Sequence, residues 1–182
     1  MAKTVTIRMR GGLGNQLFQY AEARSLAINN KAELELDCRD LILKNEQSFE
    51  LKNFNLISHV KILDKGKPPS YGWRIYKKAC RELYSELFFN YNNSFVSLNA
   101  PIYLEGYFQS EKYFYQNEKQ IRKDISPNID FEPKIKQQVE MLVPKSKSVS
   151  LHIRRGDYTN NKNLKIHGIL SMNYYKHALV FL

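Results

Sequence analysis

The sequence predicts an α/β fold, and three observations carry that expectation. An alternating segment opens the chain, a glycine cluster follows it at once, and a helically spaced segment then leads into a second alternating segment. Val5, Ile7 and Met9 alternate with Thr6, Arg8 and Arg10, the period of a strand with one buried face. Gly11, Gly12 and Gly14 allow a tight turn. Leu17, Phe18, Ala21, Ser25 and Ile28 then fall on one side of a helix that Asn29, Asn30 and Lys31 close. Leu34 and Leu36 alternate with Glu33, Glu35 and Asp37, so residues 5–37 read as one β-loop-α-β unit. Those three acids share a strand face of the kind that ordinarily meets solvent.

A length of 182 residues corresponds to one full domain, or one domain and part of another, on a prior of about 150 per domain. With 43% apolar residues the chain can fill a core, which argues against disorder. Its 28 basic and 18 acidic side chains give a net charge of +10, which suits phosphates, nucleic acid or an acidic membrane surface. Cys38 and Cys80 stand far apart with no Cys-x-x-Cys or Cys/His cluster, so neither a disulfide framework nor a structural zinc site is encoded. The N-terminus lacks an apolar signal core, and no apolar run approaches the ~20 residues of a spanning helix. A cytoplasmic protein is expected, with peripheral contact at an anionic membrane as an accessory possibility.

Further along, Tyr76, Ala79, Cys80, Leu83 and Leu87 are helically spaced between Trp73 and Phe89, with Arg74, Lys77, Lys78 and Arg81 opposite. Such a basic face is more often the solvated side of a core-packed helix than a membrane-surface helix. Ile102 to Glu105 reads as a short strand, and Ser110 as an N-cap of a helix running toward Lys123. A helix starts near Pro133 with Ile135, Val139 and Leu142 on one face, and Pro144 ends it. Lys145 to Ser148 reads as a linker. Val149, Leu151 and Ile153 alternate as a strand, followed by a turn at Arg155, Gly156 and Asp157. Ser171 caps a last helix with Tyr174, Tyr175, Ala178, Leu179 and Leu182 on one face, and the apolar ending reads as an interruption of the chain.

Two constellations bear on chemistry. Arg10-Gly-Gly-Leu-Gly-Asn-Gln16 stands between strand and helix, where backbone N–H groups and the helix dipole favour an anion. It meets the dinucleotide pattern G-x-G-x-x-G only in part, because Leu17 holds the third glycine position, while Asp37 stands where a ribose-binding acid would. His152-Ile-Arg-Arg-Gly-Asp-Tyr158 places adjacent guanidiniums, Arg154 and Arg155, at a strand end, where they can grip a diphosphate through planar forks. Asp157 is placed to orient an arginine. No Asp-x-Asp occurs to hold a metal against a diphosphate, so no metal is expected.

Gly11-Gly-Leu-Gly-Asn-Gln-Leu-Phe-Gln-Tyr-Ala21 and His152-Ile-Arg-Arg-Gly-Asp-Tyr158 together resemble the alpha-1,2-fucosyltransferases of glycosyltransferase family 11. Leu104-Glu-Gly-Tyr-Phe-Gln-Ser-Glu-Lys-Tyr-Phe114 and His167-Gly-Ile-Leu-Ser-Met-Asn-Tyr-Tyr175 look like two more signature segments of that family, in the expected order. The resemblance implies a Rossmann-like N-terminal domain of a GT-B-like glycosyltransferase. It implies metal-independent, inverting transfer of L-fucose from GDP-fucose to the 2-hydroxyl of a galactose-containing glycan or glycolipid. Arg154 would be the chief catalytic residue, with His152 and Asp157 beside it. Arg154 and Arg155 would hold the donor, and Gly12, Gly14, Asn15 and Gln16 would line the donor cleft. Asp37, Glu105, Asp157 and His152 remain open as the base for the acceptor hydroxyl. Family members run on past the point matching Leu182, which implies residues 1–147 as an N-terminal, acceptor-side domain. Residues 148–182 would then supply the first strand, turn and helix of an incomplete nucleotide-sugar domain, leaving the short chain inactive or impaired.

Two other classes compete. A basic binder of RNA or polyanions fits the charge and the 13% aromatic content, although the basic residues are dispersed and no RNA-binding signature occurs, so no nucleic acid is expected. A nicotinamide-dependent oxidoreductase would rest on the imperfect glycine pattern alone.

Overall fold

The computed structural model describes residues 3–44, 48–56, 60–66, 82–85, 90–126, 132–142, 149, 151–153, 155–159, 164–165 and 168–180. The chain divides into two compact units, Met1–Asp130 and Phe131–Leu182.

In the first unit, strand β1 (Thr4–Arg8) leads through the glycine turn into helix α1 (Leu13–Asn30), which returns to strand β2 (Glu33–Asp37). A short helix α2 (Arg39–Lys44) and strands β3 (Val60–Leu63), β4 (Glu82–Ser85) and β5 (Ile102–Glu105) follow. The five strands form one sheet in the order β3-β2-β1-β5-β4, and every neighbouring pair is parallel. Val5 stands opposite Leu34 on one side and Ile102 on the other, so β1 is the central strand.

That position corrects the expectation of a single buried face. Thr6 and Arg8 are buried along with Val5 and Ile7, because a central strand of a parallel sheet is covered on both sides. Asp37 is likewise fully buried rather than solvent-facing. On α1 the deepest apolar residues are Tyr20, Ala23, Leu26 and Ala27, while Leu17 and Phe18 are only half-buried. Ala21 and Ser25 of the expected face are buried, but the buried face extends to one side of it and includes the polar Gln16 and Gln19. Lys31, in the left-handed conformation at φ 51°, closes α1 by donating its N–H to Ala27 and Ile28 carbonyls. Asn30 helps, donating to the carbonyls of Leu26 and Leu98 and accepting from the Ala100 N–H.

Two helical expectations are revised. Residues 82–85, read within a helix from Trp73 to Phe89, form strand β4, whose backbone pairs with β5 from Glu82↔Ile102 to Ser85↔Glu105. A ladder to a distant segment overrides a local helical period; residues 73–81 and 86–89 lie outside the described residues. Beyond β5, 3-10 turns at Glu111–Tyr113 and Tyr115–Asn117 precede α3 (Glu118–Asp124), and the Ser110 side chain makes no capping bond. Asp124 fastens α3 to α1 by accepting from the Tyr20 hydroxyl and the Arg24 Nε, both at 3.1 Å. The core is completed by Phe95, Phe108 and Tyr113, with ring centroids 4.9 to 5.6 Å apart.

The second unit holds helices α4 (Pro133–Leu142) and α5 (Met172–Val180), with a 3-10 turn at Gly156–Thr159 between them. Ser171 caps α5, its Oγ accepting from the Tyr174 N–H at 3.4 Å. Of the strand expected around Val149, Leu151 and Ile153, the described residues 149 and 151–153 have no regular structure. A strand needs a hydrogen-bonded neighbour, and among the described residues every other strand belongs to the first unit. Ile135, Val139, Tyr174 and Leu179 are exposed. The linker expected at 145–148 lies outside the described residues, and α4 groups with the second unit.

Candidate functional site

The carboxyl edge of the sheet is where parallel α/β folds bind ligands, at the point where connections leave a strand in opposite directions. Here the turns leaving β1 and β5 lie side by side at that edge. Gly11 sits at φ +73°, a conformation glycine adopts without steric cost, and lets the chain leave β1 sharply. Gly12 is the N-cap of α1 and Gly14 lies in its first turn, where an added Cβ would meet nothing within 4 Å.

Beneath the turn lies a network of charges. Arg8 Nε donates to Asp40 Oδ2 at 2.7 Å, and Arg8 Nη1 to Glu105 Oε1 at 2.5 Å. Arg10 Nη2 reaches the same Glu105 oxygen at 2.7 Å, and its Nε lies 3.6 Å from Asp40 Oδ2. Arg8 is buried, whereas Arg10 keeps 36% of its side chain exposed. Burial pulls the Arg8 guanidinium down, but Glu105 and Asp40 more than offset this and leave it above its ordinary range. Asp37 accepts from the Tyr103 hydroxyl at 2.8 Å and from Arg39 Nη2 at 2.7 Å. The two sheet-edge carboxylates considered as bases, Asp37 and Glu105, are thus both engaged by cations.

Of the residues expected to line the donor cleft, Gly12, Gly14, Asn15 and Gln16 come together at the start of α1. Gln16 is fully buried: its Nε2 donates to the carbonyls of Gly11 and Ser48, and its Oε1 accepts from the Glu50 N–H, each at 2.9 Å. Its amide holds the turn in place, and its side chain is closed off from the surface. Gln19, which sequence reasoning missed, takes the Arg10 N–H on Oε1 and donates to the Gly106 carbonyl, both at 3.0 Å. Arg8, Asp40 and Tyr103 were missed as well. Their signal was faint, since polar types in a β-loop-α-β unit ordinarily mark its solvent side.

In the second unit His152 and Arg155 are exposed, and Asp157 belongs to the 3-10 turn at Gly156–Thr159, where the Thr159 N–H meets the Arg155 carbonyl at 3.1 Å. Arg154 lies outside the described residues. Among the described residues no group of three His, Cys, Asp or Glu side chains is placed to hold a metal ion, and no helix is long and apolar enough to cross a membrane.

A parallel sheet with a glycine turn at the carboxyl end of its central strand defines a Rossmann-like α/β unit; its last two strands are exchanged relative to the common order. The chain belongs to glycosyltransferase family 11, whose model matches residues 1–180. An alpha-1,2-colitosyltransferase from Escherichia coli is 31% identical over 192 residues, covering 98% of this chain and 63% of its own length. The O-antigen biosynthesis glycosyltransferase WbnK, also from Escherichia coli, is 28% identical over 207 residues, covering 96% of this chain and 66% of its own. The chain therefore spans just under two thirds of the length of these relatives. Among solved structures, the NodZ alpha-1,6-fucosyltransferase soaked with GDP-fucose matches with a TM-score of 0.37 and 18% identity, over 78% of this chain and 55% of that one.

Proposed function

We propose that the protein is an inverting glycosyltransferase that moves L-fucose from GDP-fucose to the 2-hydroxyl of a galactoside, on a two-domain GT-B-like framework. The observation that carries this reading is the family match along residues 1–180, which spans both the glycine turn and the arginine motif. A second reading has specific support from the colitosyltransferase relative. Colitose is L-fucose lacking one hydroxyl, so the donor question turns on a single oxygen of the sugar.

In this mechanism the acceptor hydroxyl attacks the anomeric carbon opposite the departing GDP. Negative charge grows on the leaving phosphate oxygen, and the guanidiniums of Arg154 and Arg155 stabilise that charge more in the transition state than in the ground state. Asp157 orients the guanidiniums. His152 stands beside them in the motif as the candidate to receive the acceptor proton, since Asp37 and Glu105 are committed to cations. With arginine meeting the diphosphate, the reaction needs no metal, and a saccharide of the O-antigen type or a glycolipid at the membrane surface is the acceptor class.

The test is calorimetric titration of GDP against the wild type and Arg154→Ala. Loss of one charged hydrogen-bonding group is expected to weaken binding by about 1.5–3 kcal/mol. Unchanged affinity rejects the arginine assignment. Transfer from GDP-fucose and GDP-colitose, each with and without EDTA, decides the donor, and abolition by EDTA with rescue by manganese rejects the metal-free mechanism.

A further inference from the structure

The turns leaving β1 and β5 lie side by side and are joined in three places. Arg10 meets Glu105, the Gln19 amide bridges the Arg10 N–H and the Gly106 carbonyl, and Gln109 Nε2 donates to Asn15 Oδ1 at 2.7 Å. The first two joints are partly buried, whereas the third is exposed at the rim.

Both members of that exposed pair are set by the backbone beneath them. The Asn15 amide lies across Gly11, so near that a Cβ at Gly11 would stand 2.4 Å from Asn15 Nδ2. Gln109 follows Phe108, a non-glycine residue at φ +51° whose ring is fully buried against Phe95 and Tyr113. A bulky residue in the left-handed region is strained and persists only where surrounding packing enforces it. The fixed aromatic thus aims the next side chain outward.

The chemistry left at the rim selects a ligand class. Arg8 and Arg10 are balanced in place by Asp40 and Glu105, so the guanidiniums here are already neutralised. The pair itself leaves Asn15 Nδ2 as a donor and Gln109 Oε1 as an acceptor, with no partner for either among the described residues. A sugar hydroxyl both donates and accepts and so satisfies the two at once, whereas a phosphate oxygen only accepts and would be repelled by Gln109 Oε1.

We infer that Gln109, paired with Asn15, binds a hydroxyl of the acceptor sugar and helps set acceptor specificity, which moves Asn15 from the donor cleft expected of it to the acceptor side. This rests on the transferase reading. The experiment uses methyl β-galactoside and its 3-, 4- and 6-deoxy analogues with the wild type, Gln109→Ala and Gln109→Glu. For Gln109→Ala the acceptor KM should rise about five- to tenfold, the worth of one neutral hydrogen bond, with the KM for GDP-fucose unchanged. One deoxy analogue that the wild type discriminates against should be treated by Gln109→Ala like the parent sugar, the signature of a coupled pair. Gln109→Glu, which keeps the acceptor oxygen, should retain more of that discrimination than alanine. An unchanged acceptor KM, or an effect confined to GDP-fucose, overturns the inference while leaving the transferase reading intact. If this chain, which spans under two thirds of its relatives' length, transfers nothing, saturation-transfer NMR of methyl β-galactoside decides the rim by itself. Binding lost in Gln109→Ala supports it, and no binding to the wild type, or equal binding to both, overturns it.

Discussion

Arg8 shows how much one side chain carries in this fold. Its guanidinium faces Asp40 and Glu105 from the buried central strand. Removing one partner of a buried ion pair typically costs 3–5 kcal/mol because the other charge is left uncompensated. Arg10 remains close to both carboxylates, so Arg8→Met should lower unfolding free energy by about 3 kcal/mol in urea titrations, the low end of that range. A change under 1 kcal/mol, on the order of an exposed pair, would show that Arg10 takes over. Cys38 gives the pH dependence. Burial, then the nearby Asp37 and Asp64, push its thiol up to about 12 from an ordinary 9.0. Burial and Asp124 raise the Tyr20 phenol above its usual range. Below the ordinary values both groups are neutral in both states and stability is intact. Above them the unfolded chain loses protons that the folded chain keeps, so stability falls as pH rises from about 9 toward 12. Urea midpoints at pH 8, 9 and 10 should decline, and Cys38→Ala should flatten the first part of that decline. Little of this was legible beforehand. Arg8 and Asp37 sit in alternating patterns that read as solvent-facing; Arg39 is a near partner of Asp37, but Glu105 stands 97 positions from Arg8 and Tyr103 66 positions from Asp37.

Elements follow the same division between local and distant causes. The β1-turn-α1-β2 unit was readable because its glycines, alternation and helix closure are all local signals. The buried face of α1 was drawn too narrowly because Gln16 and Gln19 count as polar, although their amides serve the backbones of neighbouring turns. Strand β4 was read as helix because its reason for being extended is β5. The site was legible as residue types at a turn, not as the paired turns they form. The glycines of that turn differ in what they tolerate. Gly11→Ala forces a Cβ into the left-handed region and against the Asn15 amide, and should destabilise by about 1–2 kcal/mol. Gly14→Ala meets open space in the first turn of a helix and should leave Tm unchanged or slightly higher. If close backbone approach of the donor is what Gly14 serves, the same variant raises the KM for the nucleotide sugar; Tm together with KM for both variants separates the two roles.

At the scale of the molecule the charge of +10 is the dominant long-range property. Such a surface should cosediment with vesicles containing phosphatidylglycerol at low salt and not with phosphatidylcholine alone. In 0.5 M NaCl the screening length falls well below the ~10 Å it has at 0.1 M, and the protein should return to the supernatant. Retention there would point to apolar insertion instead. The central place of β1 has a further consequence, in time rather than space. Val5 is synthesised well before Ile102, the residue that forms one of its two ladders. Translation at about 5–20 residues per second separates the two by on the order of 5–20 seconds. Through that interval the nascent chain can pair β1 with β2 and β2 with β3, but the other flank of β1 waits, an unpaired edge in the strand that later lies at the centre of the sheet. Anything that slows the ribosome between codons 37 and 102 lengthens the exposure of that edge, so codon usage there bears on soluble yield without altering a single residue.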